Sequence, residues 1–487
     1  MRSILVLLGV VVLAGCVSAP IISNPAEGPN EKAEGKVKAL SDLLKNKKRA
    51  VVVFIHGVGD HCPGFALGDV KESWLNDDAQ KAMGLVPDDP NGKAKYTNIL
   101  DEEFLPHHPR DEASKVTIGK RNFKFPASAA PDQRIPVEAI EITWSQLTQW
   151  VKTNQLAYDL TEHTPPPSTK YPGCPYPQDV EYKKPPAREK LNRVLKEQTL
   201  DRALADAVIY AGTYGRVMRR GTAEGLCLAL GGTRNTGGRL CEWPSVPKDD
   251  VRRETAYFFV SHSLGSRLIY DTLLGLMGKD VTNRAGTFDR REIEDAKPYA
   301  SYLMTESGAA YMMANQLTML GLAYEDGTRT SSEGPIPYEL IMQNKALVKA
   351  LEGAPPLSTP PSVAPPSPAP TSAPKTAVKT AAVEFATMRL QLATDRGETV
   401  DPLTVVAFSD TDDLLSWAVP KWYQGDKDEP GKAGHAVDFT NAFVQTATRW
   451  LGVFENPADA HGGYFTSADV WQVIRCGAAD GKMKACQ

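Results

Sequence analysis

Runs of uninterrupted apolar residues alternate with helical spacings along most of the chain. The first run, Val51–Ile55 ("VVVFI"), ends in the Gly-rich turn "HGVGDH". A short unbroken run closed by turn residues predicts a strand buried on both faces of a sheet. Further strands are expected at Val137–Trp144, Tyr257–Val260, Tyr299–Met304 and Thr404–Phe408, with a sixth inside Val437–Val453. Helical spacing marks Ile269–Met277, Ala310–Leu320, Leu200–Arg219 and a short amphipathic segment over Lys38–Lys48. Strands separated by helices predict an α/β fold: a mostly parallel, doubly wound sheet of about six strands with helices on both faces.

Two long intervals break this rhythm. Residues 145–250 carry Pro-rich stretches and the Leu200–Arg219 helix, and are expected to form a cap-like insertion. Residues 354–375 hold nine prolines in "APPLSTPPSVAPPSPAPTSAP" and almost no large apolar side chain. Such a segment cannot bury a core, so an extended, disordered loop is expected.

Composition narrows the class. A hydrophobic content of 42% in 487 residues suits one large domain, residues 50–487, with a real core. The formal charge of −4, with both signs interspersed, gives no basic stripe, which argues against nucleic-acid binding.

The N-terminus, "MRSILVLLGVVVLAGC", has one basic residue and an apolar run too short to span a bilayer comfortably. Its ending, Leu13-Ala14-Gly15-Cys16, resembles the bacterial lipoprotein signal. The resemblance implies a signal peptide over 1–15, lipidation at Cys16 and a tether over 16–49. An ordinary signal peptide cut near Ala14 is the alternative. Several acyl chains on Cys16 would anchor the protein stably to a membrane surface. The non-acidic Val17 implies the outer membrane in a Gram-negative cell envelope.

Export also bears on the cysteines. Cys62, Cys174, Cys227, Cys241, Cys476 and Cys486 are even in number, and an oxidising compartment favours pairing. Loop length favours Cys227–Cys241 and Cys476–Cys486 as local clips, leaving Cys62–Cys174 by elimination. No pair has C-x-x-C spacing, so no metal is expected.

Candidate chemistry gathers at three strand ends. "SHSLG" puts Ser263 between a strand and a helix, as a nucleophile elbow requires, although Ser261 stands where the G-x-S-x-G pattern has Gly. The plain alternative is a hydroxyl in a strand-to-helix turn. "HGVGDH" offers backbone donors for an oxyanion, Val58 N–H with Gly57 beside it, joined by Leu264 N–H. A tight turn after a strand would look the same. In "SDTDDLLSW", Asp413 is the favoured acid, then Asp410, then Asp412; Asp410 and Asp413 also fit a helix-capping pair. His461 follows the acids in "DAHGGYF", before a helix that Thr466 or Ser467 can cap. A lone loop histidine is often only solvated, but its place in the order Ser, Asp, His favours a catalytic base. His435 precedes the expected last strand, His262 is expected to face away from Ser263, and His107, His108 and His163 read as surface residues.

These motifs together resemble an α/β-hydrolase. "FIHGVGDH", "ITWS", "SHSLGS", "ANQ", "SDTDDLLSW" and "HGGYF" are similar to a group of bacterial serine hydrolases with the same motif order. The resemblance implies Ser263 as nucleophile, Asp413 as acid, His461 as base, and no cofactor. The chain departs from the larger hydrolases in one respect: only about 35 mature residues precede the "HG" strand, so one or two leading strands are expected to be missing. The expected activity is cleavage of a carboxylic ester, its substrate amphiphilic or derived from the envelope if the anchor sets location. An acyltransferase with the same residues, or a non-catalytic envelope scaffold, are the alternatives.

Overall fold

A computed structural model describes residues 19–25, 35–68, 72–100, 114–156, isolated positions between 189 and 204, 205–235, 239–248, 254–279, 287–317, 320, 381–395, 397, 401–420, 436–446 and 457–486. One sheet of ten strands organises these residues. Its members are β1 (Ile21–Ser23), β2 (Arg49–Ile55), β3 (Val86–Pro87), β4 (Lys95–Leu100), β5 (Lys115–Phe125), β6 (Ile135–Thr143), β7 (Thr255–His262), β8 (Ser307–Met313), β9 (Leu403–Ser409) and β10 (Val437–Phe443). Six of them, in the order β10-β9-β8-β7-β2-β6, pair in parallel. Antiparallel strands extend both edges: β1 lies on β10, and β5 joins β6 to β3 and β4.

The described helices are α1 (Leu40–Leu43), α2 (Asp77–Met83), α3 (Gln146–Leu156), α4 (Ala205–Ala211), α5 (Gly215–Ala229), α6 (Leu264–Leu276), α7 (Arg290–Glu306), α8 (Ala381–Thr394), α9 (Pro457–Gly462) and α10 (Ala468–Cys476). Alternation along β2 divides the core in two. Val51, Val53 and Ile55 pack with Leu226 of α5, Leu268 of α6 and Leu303 of α7. Ala50 and Phe54 pack with Leu40 of α1, Met83 of α2 and Trp471 of α10 on the other face. Each fully buried large side chain of this kind contributes roughly 1.5–3 kcal/mol. Helices therefore cover both faces, as the apolar strand runs require.

Several expectations are corrected in detail. Tyr299–Met304 belongs to α7, and the fourth parallel strand is Ser307–Met313, inside which the Ala310–Leu320 helix was expected to begin. A capping box of Asp289 and Glu292 starts α7, and residues 299–304 are buried throughout, so their periodicity carries no helical signature. The Leu200–Arg219 helix is broken: α4 ends before Gly212 and α5 begins at Gly215, where a Cβ would overlap the Tyr210 carbonyl. The segment expected as a tether is partly structural, since β1 pairs with β10 and Val37 bridges Ala478. Only Leu40–Leu43 of the Lys38–Lys48 segment is helical. The sheet is larger than six strands because antiparallel strands fill the edge beyond β6.

Two clips close as expected, Cys227–Cys241 and Cys476–Cys486. Cys62 is also disulfide-bonded. Cys174 and Cys16, like the loop 354–375 and residues 1–15, lie outside the described residues. Among the described residues, no helix is long and apolar enough to cross a membrane.

From β2 the chain moves to β6 on one side and later to β7 on the other, so the strand order reverses at β2. In open α/β sheets the crevice beyond the carboxyl ends of the strands at such a reversal is where ligands bind. "HGVGDH" and Ser263 occupy that position.

Candidate active site

β7 ends at His262, and Ser263 turns the chain into α6 with φ +50° and ψ −124°. A side chain at positive φ is strained, by about 1–3 kcal/mol, and persists only where its surroundings hold it. Here the Ser263 amide donates to the Met313 carbonyl at the end of β8, 2.8 Å away. The Ser263 side chain does not cap α6. Its Oγ is buried and makes no hydrogen bond.

Two glycines let neighbouring backbone approach this turn. A Cβ on Gly57 would lie 2.5 Å from Ser263 Cβ and 2.8 Å from the His262 carbonyl. A Cβ on Gly265 would overlap the His56 carbonyl. Ser261, the departure from the glycine pattern, is accommodated by an Oγ–Oγ hydrogen bond to Ser266 at 2.9 Å.

The loop after β9 and helix α9 supply the next pair. His461 Nδ1 donates to both oxygens of Asp413, each at 3.0 Å. That leaves His461 Nε2, buried and without a hydrogen-bond partner. Asp413 also accepts from the Leu415 amide at 2.9 Å and from Tyr464 Oη at 3.0 Å. Burial, then the charge of Asp413, push the Tyr464 phenol far above its ordinary value, so it remains a donor. Asn315, in the "ANQ" segment, braces the same loop: its side chain donates to the Trp417 carbonyl and its carbonyl accepts from the Trp417 amide.

Asp410 faces elsewhere. Its Oδ2 accepts from the amide and hydroxyl of Thr446 at 2.6 and 2.8 Å, and its Oδ1 from the Asp412 amide at 2.9 Å. It pins the loop and makes no contact with the imidazole.

His262 does not face away from the site. Its Nε2 donates to the His461 carbonyl at 2.8 Å, and the two rings lie 4.8 Å apart. Burial, with the neighbouring His461 adding to it, holds His262 well below the ordinary histidine value, so it serves as a neutral strut between the Ser263 turn and the His461 segment. Asp413 and His461 are thus paired, and His262 ties them to the turn that carries Ser263; Ser263 Oγ and His461 Nε2 make no hydrogen bond to each other. His435, His107, His108 and His163 lie outside the described residues.

The "HGVGDH" turn is built with equal care. His56 Nε2 accepts from the amides of Trp144 and Ser145, at 3.0 and 3.3 Å. Its proton is therefore on Nδ1, which donates to the Gly57 carbonyl at 2.8 Å. In a planar trans peptide the N–H points opposite to the carbonyl, so Val58 N–H is turned away from His56. Burial keeps His56 neutral, well below its ordinary value. The next amide donor, Leu264 N–H, stands at the N-terminus of the 13-residue α6, where the helix dipole favours negative charge.

Sequence reasoning missed the residues that hold these groups: His56, Tyr464, Glu141 and a cluster of Lys152, Asp60 and Asp206. Glu141 is buried and accepts the amides of Gly64, Ala66 and Leu67 at 2.6–2.9 Å, fixing the chain just past the turn. Only the "ITWS" match to the motif order hinted at the Trp144–Ser145 pair. Comparison with family models, curated proteins and solved structures found no match to the chain. Among the described residues, no group of His, Cys, Asp or Glu side chains could hold a metal ion.

Proposed function

We propose that the chain is a serine hydrolase of the α/β-hydrolase type that cleaves carboxylic esters. The observation that carries this reading is the strained Ser263 turn, whose neighbour His262 packs against the His461 imidazole, with that imidazole's Nδ1 held by Asp413. Ser263 Oγ attacks the acyl carbon and gives its proton to His461 Nε2. The carbonyl oxygen becomes an oxyanion within reach of the Val58 and Leu264 amides, with Gly57 leaving room for it. Collapse of the tetrahedral intermediate breaks the bond to the alcohol, which takes the proton back from His461. Water then repeats the cycle on the acyl enzyme and restores Ser263. Asp413 holds the Nδ1–H tautomer throughout and offsets the positive charge that His461 acquires.

No step calls on a cofactor. A lipid on Cys16 would place this chemistry at the envelope membrane surface, where acylated lipids or glycans are the available esters. A fluorophosphonate probe tests the reading. Labelling of the wild-type chain and none of Ser263→Ala is expected; folded wild type that takes no label defeats the reading and favours a non-catalytic scaffold.

A further inference from the structure

Two peptide planes meet at the Val58 Cα, and each is a rigid unit. His56 holds the 57–58 plane by its carbonyl. The 58–59 plane is gripped at both ends: His61 Nε2 donates to the Val58 carbonyl at 3.2 Å, and Gly59 N–H donates to Asp206 Oδ2 at 2.7 Å. Gly59 sits at φ +102°, and nothing lies within 4 Å of where its Cβ would be. Packing does not restrain it on that side; hydrogen bonds do.

Asp206 comes from α4 in the 145–250 insertion, 147 positions from Gly59. Its Oδ1 accepts from Thr148 Oγ1 at 2.7 Å. Lys152 Nζ lies 3.1 Å from Asp206 and 2.9 Å from Asp60, the residue after Gly59. Burial pulls the Lys152 ammonium down, but attraction to Asp206 and Asp60 outweighs it and leaves Lys152 above its ordinary value. A buried ion cluster is a poor stabiliser compared with apolar packing of the same volume. What it does well is fix a direction.

We propose that Asp206 is a positioning residue of the oxyanion loop, so that a helix of the 145–250 segment completes the catalytic apparatus. The inference rests on the hydrolase reading above. With both planes held, Val58 N–H is aimed before substrate arrives, which is what makes an oxyanion donor effective.

The test compares wild type with Asp206→Asn. Fluorophosphonate labelling of Ser263 is followed as a function of probe concentration, beside hydrolysis of p-nitrophenyl butyrate and thermal unfolding of the same samples. A misaimed donor weakens the transition state and not ground-state binding. The maximal labelling rate and kcat are therefore expected to fall together, on the order of tenfold to a hundredfold. The half-saturating probe concentration and KM should stay within about threefold. A wild type that takes no label overturns the hydrolase reading. A labelled wild type with an equally reactive Asp206→Asn overturns the positioning role alone. So does a loss that only tracks the unfolded fraction. Should Asp206→Asn fail to fold, Thr148→Val decides: it strips one donor from the carboxylate while Gly59 keeps its acceptor. It should lower the maximal labelling rate by a few-fold at unchanged half-saturation, and no change refutes the clamp.

Discussion

On the proposed hydrolase reading, exchanging Asp413 and Asp410 for Asn, one at a time, separates the acid of the triad from a structural carboxylate three residues away. Three donors point at Asp413: His461 Nδ1, the Leu415 amide and Tyr464 Oη. A carboxamide has one acceptor oxygen, so its NH2 must face one of them. Tyr464 can turn its hydroxyl to accept, which spares the fold. What Asn cannot supply is negative charge against the imidazolium that forms as Ser263 loses its proton. Exchange of the acid for Asn in a Ser-His-Asp triad, which also lets the imidazole take the wrong tautomer, lowers kcat on the order of 10⁴-fold. At 1.36 kcal/mol per factor of ten this is about 5.4 kcal/mol of transition-state stabilisation. Asp410→Asn instead leaves Thr446 or Asp412 donors facing an NH2 in a buried loop. The expected cost is about 1.5–3 kcal/mol of stability for each charge-assisted bond lost, with a much smaller effect on kcat. The assay is steady-state ester hydrolysis paired with urea unfolding of both variants. A larger fall in kcat for Asp410→Asn, or a fall of less than tenfold for Asp413→Asn, refutes the assignment.

Other perturbations follow from the same contacts. Burial lowers His61 to about 4, so the unfolded chain takes up a proton first as pH drops below 6.5. Stability contributed by the neutral ring is present above that value and lost between 6.5 and 4, at most about 1.4 kcal/mol per pH unit. Urea midpoints across this range should fall less steeply for His61→Gln; an unchanged slope contradicts the buried neutral state. Gly57→Ala drives a methyl into Ser263 and the His262 carbonyl. It is expected to cost about 1–3 kcal/mol and to abolish probe labelling, and wild-type labelling would disprove the close approach. Removing the Cys227–Cys241 clip by paired Ser substitutions should cost about 3 kcal/mol for its loop, read as a lower unfolding midpoint that reductant shifts less than it shifts the wild type, since Cys476–Cys486 and Cys62 stay bonded.

The parallel strands were legible where an apolar run is short, β-branched and closed by a turn: "VVVFI" and "TVVAF" both lie in the central sheet. Apolar runs do not tell strand from helix where burial is complete and the composition is neutral. Tyr299–Met304 is as apolar as a strand but continues a helix that its capping box had already begun, whereas "SGAAYMM" forms a strand although its two Ala and two Met favour helices. Tertiary pairing with β7 and β9 overrides that preference. The antiparallel arm of β4 and β5 was missed because its lysines, arginine and asparagine mask the apolar face. The supporting polar groups were beyond reach for another reason: Gly59–Asp206 and Asn315–Trp417 join positions about a hundred or more residues apart. No local period encodes such a pair.

The elbow shows how the same physics decides which motif positions are negotiable. The pattern asks for small residues on either side of Ser263, yet only the second is sterically forced. Gly265 faces the carbonyls of Ile55 and His56, and any side chain there would push α6 off β2. Ser261 points where its hydroxyl finds Ser266, so one extra oxygen is absorbed without moving the strand. Gly57, next along the same strand end, meets Ser263 itself. The strained serine is therefore wedged between two backbone approaches made at the end of β2, and its conformation depends on glycines at 57 and 265 more than on the residue two places before it.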